Sequence, residues 1–286
     1  MPRLTDFLRV IRAVSNWYAI IFVVLRLQRK VVVNFRNGLR FYYVNDLFSV
    51  EHFVEEPYRL TEVRGRIVVD VGAFTGDSAI YFAYRGAKKV IAFEPVPETY
   101  HLAIENVKLN GFNNIDIRNE GLSTNEGEVF VDPMVQNHHS FSLVGRTSPT
   151  GVKVHTRTLS DVVSELGPDE AVIKLDCEGC EYDLLLKSDD RTILRFGQEI
   201  LEAHSGTGSV IKRLRELGYL VKVMDIKGRE VPEEETRTLV LLYASRGQED
   251  LKAQVVGSFG FIGSHLVDRI VKEATSLAMQ RTLFNG

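Results

Sequence analysis

The residues of this sequence best placed to do chemistry are acids and histidines that close apolar runs. Asp70 lies within Ile67-Val68-Val69-Asp70-Val71 and opens the stretch Asp70-Val71-Gly72-Ala73-Phe74-Thr75-Gly76. Glu94-Pro95 closes the next apolar run, 24 positions after Asp70. Asp176 follows Ala171-Val172-Ile173-Lys174-Leu175, with Glu178 and Glu181 just beyond it, and His204 follows Glu199 to Ala203. His138, His139 and Ser140 stand together in a long polar stretch. An acid at the end of a strand can accept both hydroxyls of a ribose. A histidine titrates near neutrality and suits proton removal, and a carboxylate can orient a hydroxyl or hold its proton.

The glycines narrow the ligand. Gly72 and Gly76 have the spacing Asp-x-Gly-x-x-x-Gly, which lacks the middle glycine of the dinucleotide fingerprint. Gly72 lets the backbone bend and come close to a ligand, and Gly76 does the same at the entrance of the next helix. With Glu94 as a ribose acceptor, this combination favours an adenosine cofactor that needs no phosphate cradle, and S-adenosylmethionine fits. Asn119-Glu120-Gly121-Leu122 ends a third strand, where an adenine ring would lie, so Glu120 and Gly121 join the expected cofactor residues along with Ala73 and Pro95.

Regular alternation must position these residues. Strands are expected at 67–71, 88–94, 115–118, 127–131, 152–157, 171–176 and 199–204, and helices at 77–85, 98–110, 159–166 and 209–217, with Gly111 capping the second. Two final strands, 219–224 and 238–243, leave no room for a helix between them and must pair antiparallel. Ahead of this unit, Asn37-Gly38 between Val31–Phe35 and Leu39–Val44 signals a hairpin. The apolar run from Trp17 to Leu25 is flanked by arginines and is too short to span a bilayer. A helix packed on the domain is favoured there over a helix lying on a membrane surface. The expected fold is α/β: a Rossmann-like, mostly parallel sheet with a terminal antiparallel hairpin, an N-terminal helix and hairpin extension over 1–54, the main domain over 55–246, and a C-terminal helical extension over 247–286.

Asp70-Val-Gly-Ala-x-x-Gly76, Glu94-Pro95 and Ile173-Lys-Leu-Asp-Cys-Glu-Gly-Cys-Glu-Tyr182 together resemble the FkbM family of S-adenosylmethionine-dependent methyltransferases. Lys174, Asp176, Glu178, Gly179 and Glu181 match that family's Lys-x-Asp-x-Glu-Gly-x-Glu motif. The resemblance covers roughly residues 55 to 246. It implies O-methylation of a hydroxyl on a sugar, glycolipid or secondary metabolite, so the expected partner is a small-molecule or glycan acceptor. The sequence departs from the pattern at Cys177 and Cys180, where small or apolar residues are commoner.

Methyl transfer to a hydroxyl needs in-line alignment and a proton acceptor. Asp176 and His204 are the expected catalytic residues. Glu178, Glu181, His138, His139 and Ser140 are assigned to the acceptor side, and no metal is assigned, because oxygen-rich spacing alone is permissive. A net charge of -3 gives no argument for nucleic-acid binding. Two cysteines provide no disulfide framework, which suits a reducing, cytoplasmic setting, with membrane association through the N-terminal helix as the alternative. Cys177-Glu-Gly-Cys180 reads as small residues filling a tight turn, since acidic neighbours oppose a reactive thiolate.

Val255 to Asp268 is similar to the opening of extended short-chain dehydrogenases and nucleotide-sugar epimerases, through Gly257, Gly260 and Gly263. Only 23 residues follow Gly263, too few for a second strand and a catalytic Tyr-x-x-x-Lys. A nucleotide-sugar oxidoreductase or epimerase is therefore the disfavoured alternative. A non-catalytic binding module that keeps the sheet is another.

Overall fold

A computed structural model describes residues 11–44, 53, 56–131, 152–177, 179–203, 207–225, 229–233 and 240–246. The chain enters through a short helix, α1 (Tyr18–Val24), and a hairpin of β1 (Val31–Asn34) and β2 (Arg40–Tyr43). The hairpin turns at Gly38, whose φ of 92° is left-handed, as the Asn-Gly signal requires. Val33, Phe41 and Tyr43 alternate onto one face and join the core of the main sheet.

That sheet has seven strands in the order β11-β12-β10-β9-β3-β4-β5. Its central members are β3 (Ile67–Val71), β4 (Lys89–Phe93), β5 (Ile115–Arg118), β9 (Ala171–Leu175) and β10 (Phe196–Ala203), all mutually parallel. The last two strands, β11 (Leu220–Asp225) and β12 (Val240–Ser245), pair antiparallel, and β12 inserts antiparallel beside β10. From β3 the chain runs outward through β4 and β5, then returns to β9 on the opposite side. The crevice at the carboxyl ends of β3 and β9 is thus a topological switch point, where open α/β sheets bind ligands.

Strand alternation divides the apolar residues into two cores. Val68, Val90, Ala92 and Val172 face one side, packed with α2 (Asp77–Tyr84), α3 (Pro97–Asn110) and the hairpin. Val69, Val71, Ile173 and Leu175 face the other, packed with α4 (Leu159–Ser164), α5 (Cys180–Lys187), α6 (Asp190–Ile193) and α7 (Gly208–Glu216). Gly111, at φ 72°, closes α3 as expected, and a Thr158–Asp161 capping box opens α4.

The alternation is interrupted between β5 and α4. β6 (Gly121–Ser123), β7 (Gly127–Val131) and β8 (Val152–Thr158) form a separate sheet with β8 in the middle, and Thr156 is the register partner of both Gly121 and Gly127. Around α1, Val14 and Val23 are buried, while Tyr18, Ile21, Phe22, Leu25 and Leu27 are exposed. The helix therefore packs by one side only. No helix among the described residues is long and apolar enough to cross a membrane. The C-terminal extension with its epimerase-like glycines lies outside the described residues.

Candidate active site

Register creates the centre of the site. Asp70 of β3 and Lys174 of β9 are direct partners in the parallel ladder, and both side chains lie on the same face of the sheet. Both are enclosed, so each charge requires the other. Lys174 Nζ lies 3.1 Å from Asp70 Oδ1 and 3.5 Å from Asp176 Oδ2, and it donates to the Gly72 carbonyl at 2.6 Å. Ser78 Oγ donates to Asp70 Oδ2 at 2.6 Å, so the first turn of α2 is tied to the same carboxylate. Burial alone would pull the lysine down. The carboxylates of Asp70 and Asp176 outweigh it, holding the ammonium charged and its pKa above the ordinary value. Burial pushes the Asp70 carboxyl up against the opposing pull of Lys174 and Ser78.

Lys174 thus clamps Gly72 to the motif that carries Asp176. Sequence reasoning used it only as a motif match. The available signal was a lysine inside an uninterrupted apolar strand, which must be paired when buried. Asp70 is correspondingly a positioning residue: it is fully enclosed and holds Lys174 instead of reaching the crevice.

Gly72 is the second fixed point. Its φ is 82°, and a Cβ there would stand 1.9 Å from the Asp176 carbonyl oxygen and 3.5 Å from the Cys177 Cα. The Asp176 N–H donates to Val71 O at 3.1 Å. The two strand ends are therefore in backbone contact, and only glycine fits between them. Gly72 and Ala73 both donate their N–H to Phe93 O at 3.0 Å, which turns the loop towards β4.

Glu94 receives that loop. Its Oε2 accepts the Phe74 N–H at 2.8 Å, and its Oε1 accepts the Val96 N–H at 2.9 Å and the Thr99 hydroxyl at 2.8 Å. Burial pushes its pKa up to about 7 despite these three donors. Oε2, with one of these donors, keeps acceptor capacity for a further hydroxyl. Asn119 Nδ2 donates to the carbonyls of Glu94 and Pro95 at 2.9 Å each, fixing the turn after β4. Glu120 faces Arg157 at 3.9 Å, and Gly121 is buried at the start of β6. Gly76, at φ 80°, packs against Ala103 of α3, and the Thr75 carbonyl beside it accepts from Asn106 Nδ2 at 2.9 Å. The Asn106 Oδ1 accepts the Tyr42 N–H at 2.8 Å, so the N-terminal hairpin is joined to the Gly72–Gly76 loop through one side chain.

The turn after β9 differs from expectation. Cys177 and Cys180 form a disulfide, their Cα atoms 5.5 Å apart. Gly179, at φ 120°, turns the chain back and brings the two residues within bridging range, which spacing alone did not reveal. The Glu181 carboxylate is fully buried inside this turn, where Oε2 accepts the Gly179 N–H at 2.8 Å and lies 3.1 Å from Cys177 Sγ. It shapes the turn, and its expected role on the acceptor side gives way to that position. Cys177, Cys180 and Glu181 are the one grouping of potential metal ligands among the described residues, and the disulfide occupies both sulfurs.

Asp176, one residue beyond β9, keeps about a quarter of its side chain exposed at the crevice. Glu178, His204, His138, His139 and Ser140 lie outside the described residues. An open cleft of about 630 Å³ is lined by Ser160, Pro168, Arg191 and Arg195, among others. It lies where β9 and β10 begin, at the opposite end of the strands from the Gly72 crevice.

A curated relative, an uncharacterised protein of Methanocaldococcus jannaschii, is 48% identical over 58 residues, which cover 20% of this chain and 22% of the relative. The match thus spans about a fifth of the relative's length. Solved structures similar to this one include TYW2 from M. jannaschii in complex with AdoMet (14% identity, 76% of this chain and 85% of that one, TM-score 0.42). Others are Trm5b from Pyrococcus abyssi (18%, 76% and 55%, TM-score 0.43) and a ribosomal protein L11 methylase from Lactobacillus delbrueckii subsp. bulgaricus (20%, 65% and 72%, TM-score 0.36). The family model described as the methyltransferase FkbM domain matches residues 70–221, from the Asp70 that pairs with Lys174 to the second residue of β11. That is more than half of the chain, which belongs to the FkbM family of S-adenosylmethionine-dependent methyltransferases.

Proposed function

We propose that this protein transfers a methyl group to a hydroxyl of a sugar, glycolipid or secondary metabolite, with Asp176 at the reacting edge. The observation that carries this reading is the Lys174 clamp. It holds a partly exposed carboxylate against the glycine corner of a methyltransferase switch point. The acceptor class rests on the family resemblance of the Lys174–Glu181 motif.

The residues present fit S-adenosylmethionine. Glu94 keeps acceptor capacity for a ribose hydroxyl, and the Glu94-Pro95 turn is pinned beside Glu120. When bound, the cofactor supplies an electrophilic methyl on a sulfonium sulfur. Glu94 binds the ribose, and the loop from Gly72 to Gly76 shapes the floor of the crevice. Asp176 accepts a hydrogen bond from the acceptor hydroxyl and so orients its oxygen. His204, which follows β10 beside β9, takes the proton in this reading. The exposed apolar face of α1 lies beside exposed Arg26 and Arg29. It supports peripheral contact with an anionic membrane, which cosedimentation with anionic and with neutral vesicles checks; no preference for the anionic vesicles would remove it.

The test is a methyl-transfer screen over candidate glycans and glycolipids with labelled S-adenosylmethionine, followed by Asp176→Asn and His204→Ala on the best acceptor. Turnover should fall by ~10²–10⁴ with S-adenosylmethionine affinity changed little, as expected on losing a proton acceptor or its orienting partner. Near-normal turnover in both variants would remove these residues from the mechanism. Transfer to RNA or protein, with none to hydroxylated small molecules, would overturn the acceptor class.

A further inference from the structure

The Cys177–Cys180 bridge takes no part in methyl transfer as derived above, yet it is built into the cofactor corner. Cys177 directly follows Asp176, and its Cα is the third-nearest atom to a Cβ placed on Gly72. Cys180 opens α5, so the bridge ties the Asp176 turn to the helix behind it. The two sulfurs differ in access: Cys177 is half-buried, whereas Cys180 is 2% exposed. The Glu181 carboxylate 3.1 Å from Cys177 Sγ is an acceptor that a thiol could use and a disulfide sulfur cannot. Both redox states therefore have a bonded arrangement available.

We propose that Cys177–Cys180 is a reversible dithiol–disulfide site, with small thiols as its substrate class, whose state sets the order of the Gly72 corner. A thiolate attacks the accessible Cys177 Sγ and forms a mixed disulfide. The Cys177–Cys180 bond breaks, and its electron pair passes to Cys180 Sγ, which leaves as the thiolate. Cys180 takes up the proton given by the first thiol. A second thiolate attacks the small-molecule sulfur of the mixed disulfide and releases Cys177, which is protonated and donates to Glu181 Oε2. The balance is one protein disulfide and two thiols giving one protein dithiol and one small-molecule disulfide; oxidation is the reverse.

Opening the bridge separates two sulfurs that were bonded. On the β9 side the turn is anchored by the Asp176 N–H on Val71 O, and Gly72 has no side chain to buffer movement of the Asp176 carbonyl. Reduction therefore loosens the loop whose amides at Gly72, Ala73 and Phe74 bond Phe93 O and Glu94.

The effect on cofactor binding rests on the function proposed above; the effect on the loop does not. The full chain is equilibrated in graded mixtures of glutathione and glutathione disulfide, and its free thiols are counted by alkylation and mass spectrometry. Amide hydrogen exchange over 70–77 and S-adenosylmethionine affinity are then measured for each state. The pair should interconvert reversibly with the thiol ratio. Reduction should speed exchange at Gly72, Ala73 and Phe74 and weaken cofactor binding, each by on the order of tenfold, within the usual range of coupling between sites. Cys177→Ser/Cys180→Ser should behave as the reduced protein whatever the thiol ratio. Two free thiols at every ratio, or identical exchange in both states, would overturn the proposal. Absence of S-adenosylmethionine binding in both states would instead overturn the function, because exchange is read without cofactor.

Discussion

Glu94 should give cofactor affinity and fold stability opposite pH dependences. Its carboxyl is pushed from its ordinary 4.5 up to about 7, by burial first, with Thr99, Val96 and Phe74 as opposing donors. Only the ionised form keeps both oxygens as pure acceptors for a ribose hydroxyl. The group is about half ionised at that pKa and about a tenth ionised one pH unit below it, so affinity should weaken by about fivefold from pH ~7 to ~6. Stability runs the other way. Between the unfolded and folded pKa values the native state holds a proton that the unfolded chain has released. Native proton binding therefore exceeds unfolded binding, and stability falls as pH rises through this window. The full shift is worth on the order of 3 kcal/mol, a contribution present below the unfolded pKa and lost as pH passes about 7. Calorimetric titration with S-adenosylmethionine and urea unfolding across the window would read both trends. Glu94→Gln should flatten both, and it should cost about 1–3 kcal/mol of binding, because an amide cannot replace both acceptors. Flat wild-type affinity, or unchanged affinity in a folded Glu94→Gln protein, would show that Glu94 does not bind the ribose.

Further substitutions, one of them a control away from the site, test the corner itself. Gly72→Ala should destabilise by more than ~3 kcal/mol or prevent folding, since its Cβ would meet the backbone oxygen of Asp176 at 1.9 Å. Gly111→Ala, also at positive φ but with open space around it, should cost only about 1 kcal/mol; equal losses in urea unfolding would mean that the contact is not decisive. Lys174→Met should cost about 3–5 kcal/mol by leaving Asp70 buried and unpaired, with the loss growing as pH rises and Asp70 ionises. Adding Asp70→Asn should recover part of that loss, and strict additivity of the two changes would refute the pairing.

How much of this was legible follows from the range of each interaction. The parallel strands, their helices, the Asn37-Gly38 hairpin and the final antiparallel pair were readable because apolar periodicity and turn chemistry are local signals. The strand-end acids were readable for the same reason. What escaped depended on register and on backbone angles. Nothing near Lys174 in sequence names Asp70 as its partner; that follows only from laying β9 beside β3 with one particular alignment. The small sheet of β6, β7 and β8 escaped because β8 must return across a long connection to pair with both earlier strands. The Cys177–Cys180 bridge depended on the positive φ of Gly179, and Glu181 on the burial that this turn imposes. One inference was nevertheless available. A lysine within an apolar strand demands a buried counter-charge, and Asp70 lies in another apolar strand beside a glycine that must approach a neighbour closely. Pairing the two charges fixes the register of β3 against β9. That register brings Asp176 to Gly72, so the ion pair, the clamp and the backbone contact at Gly72 all share one strand alignment.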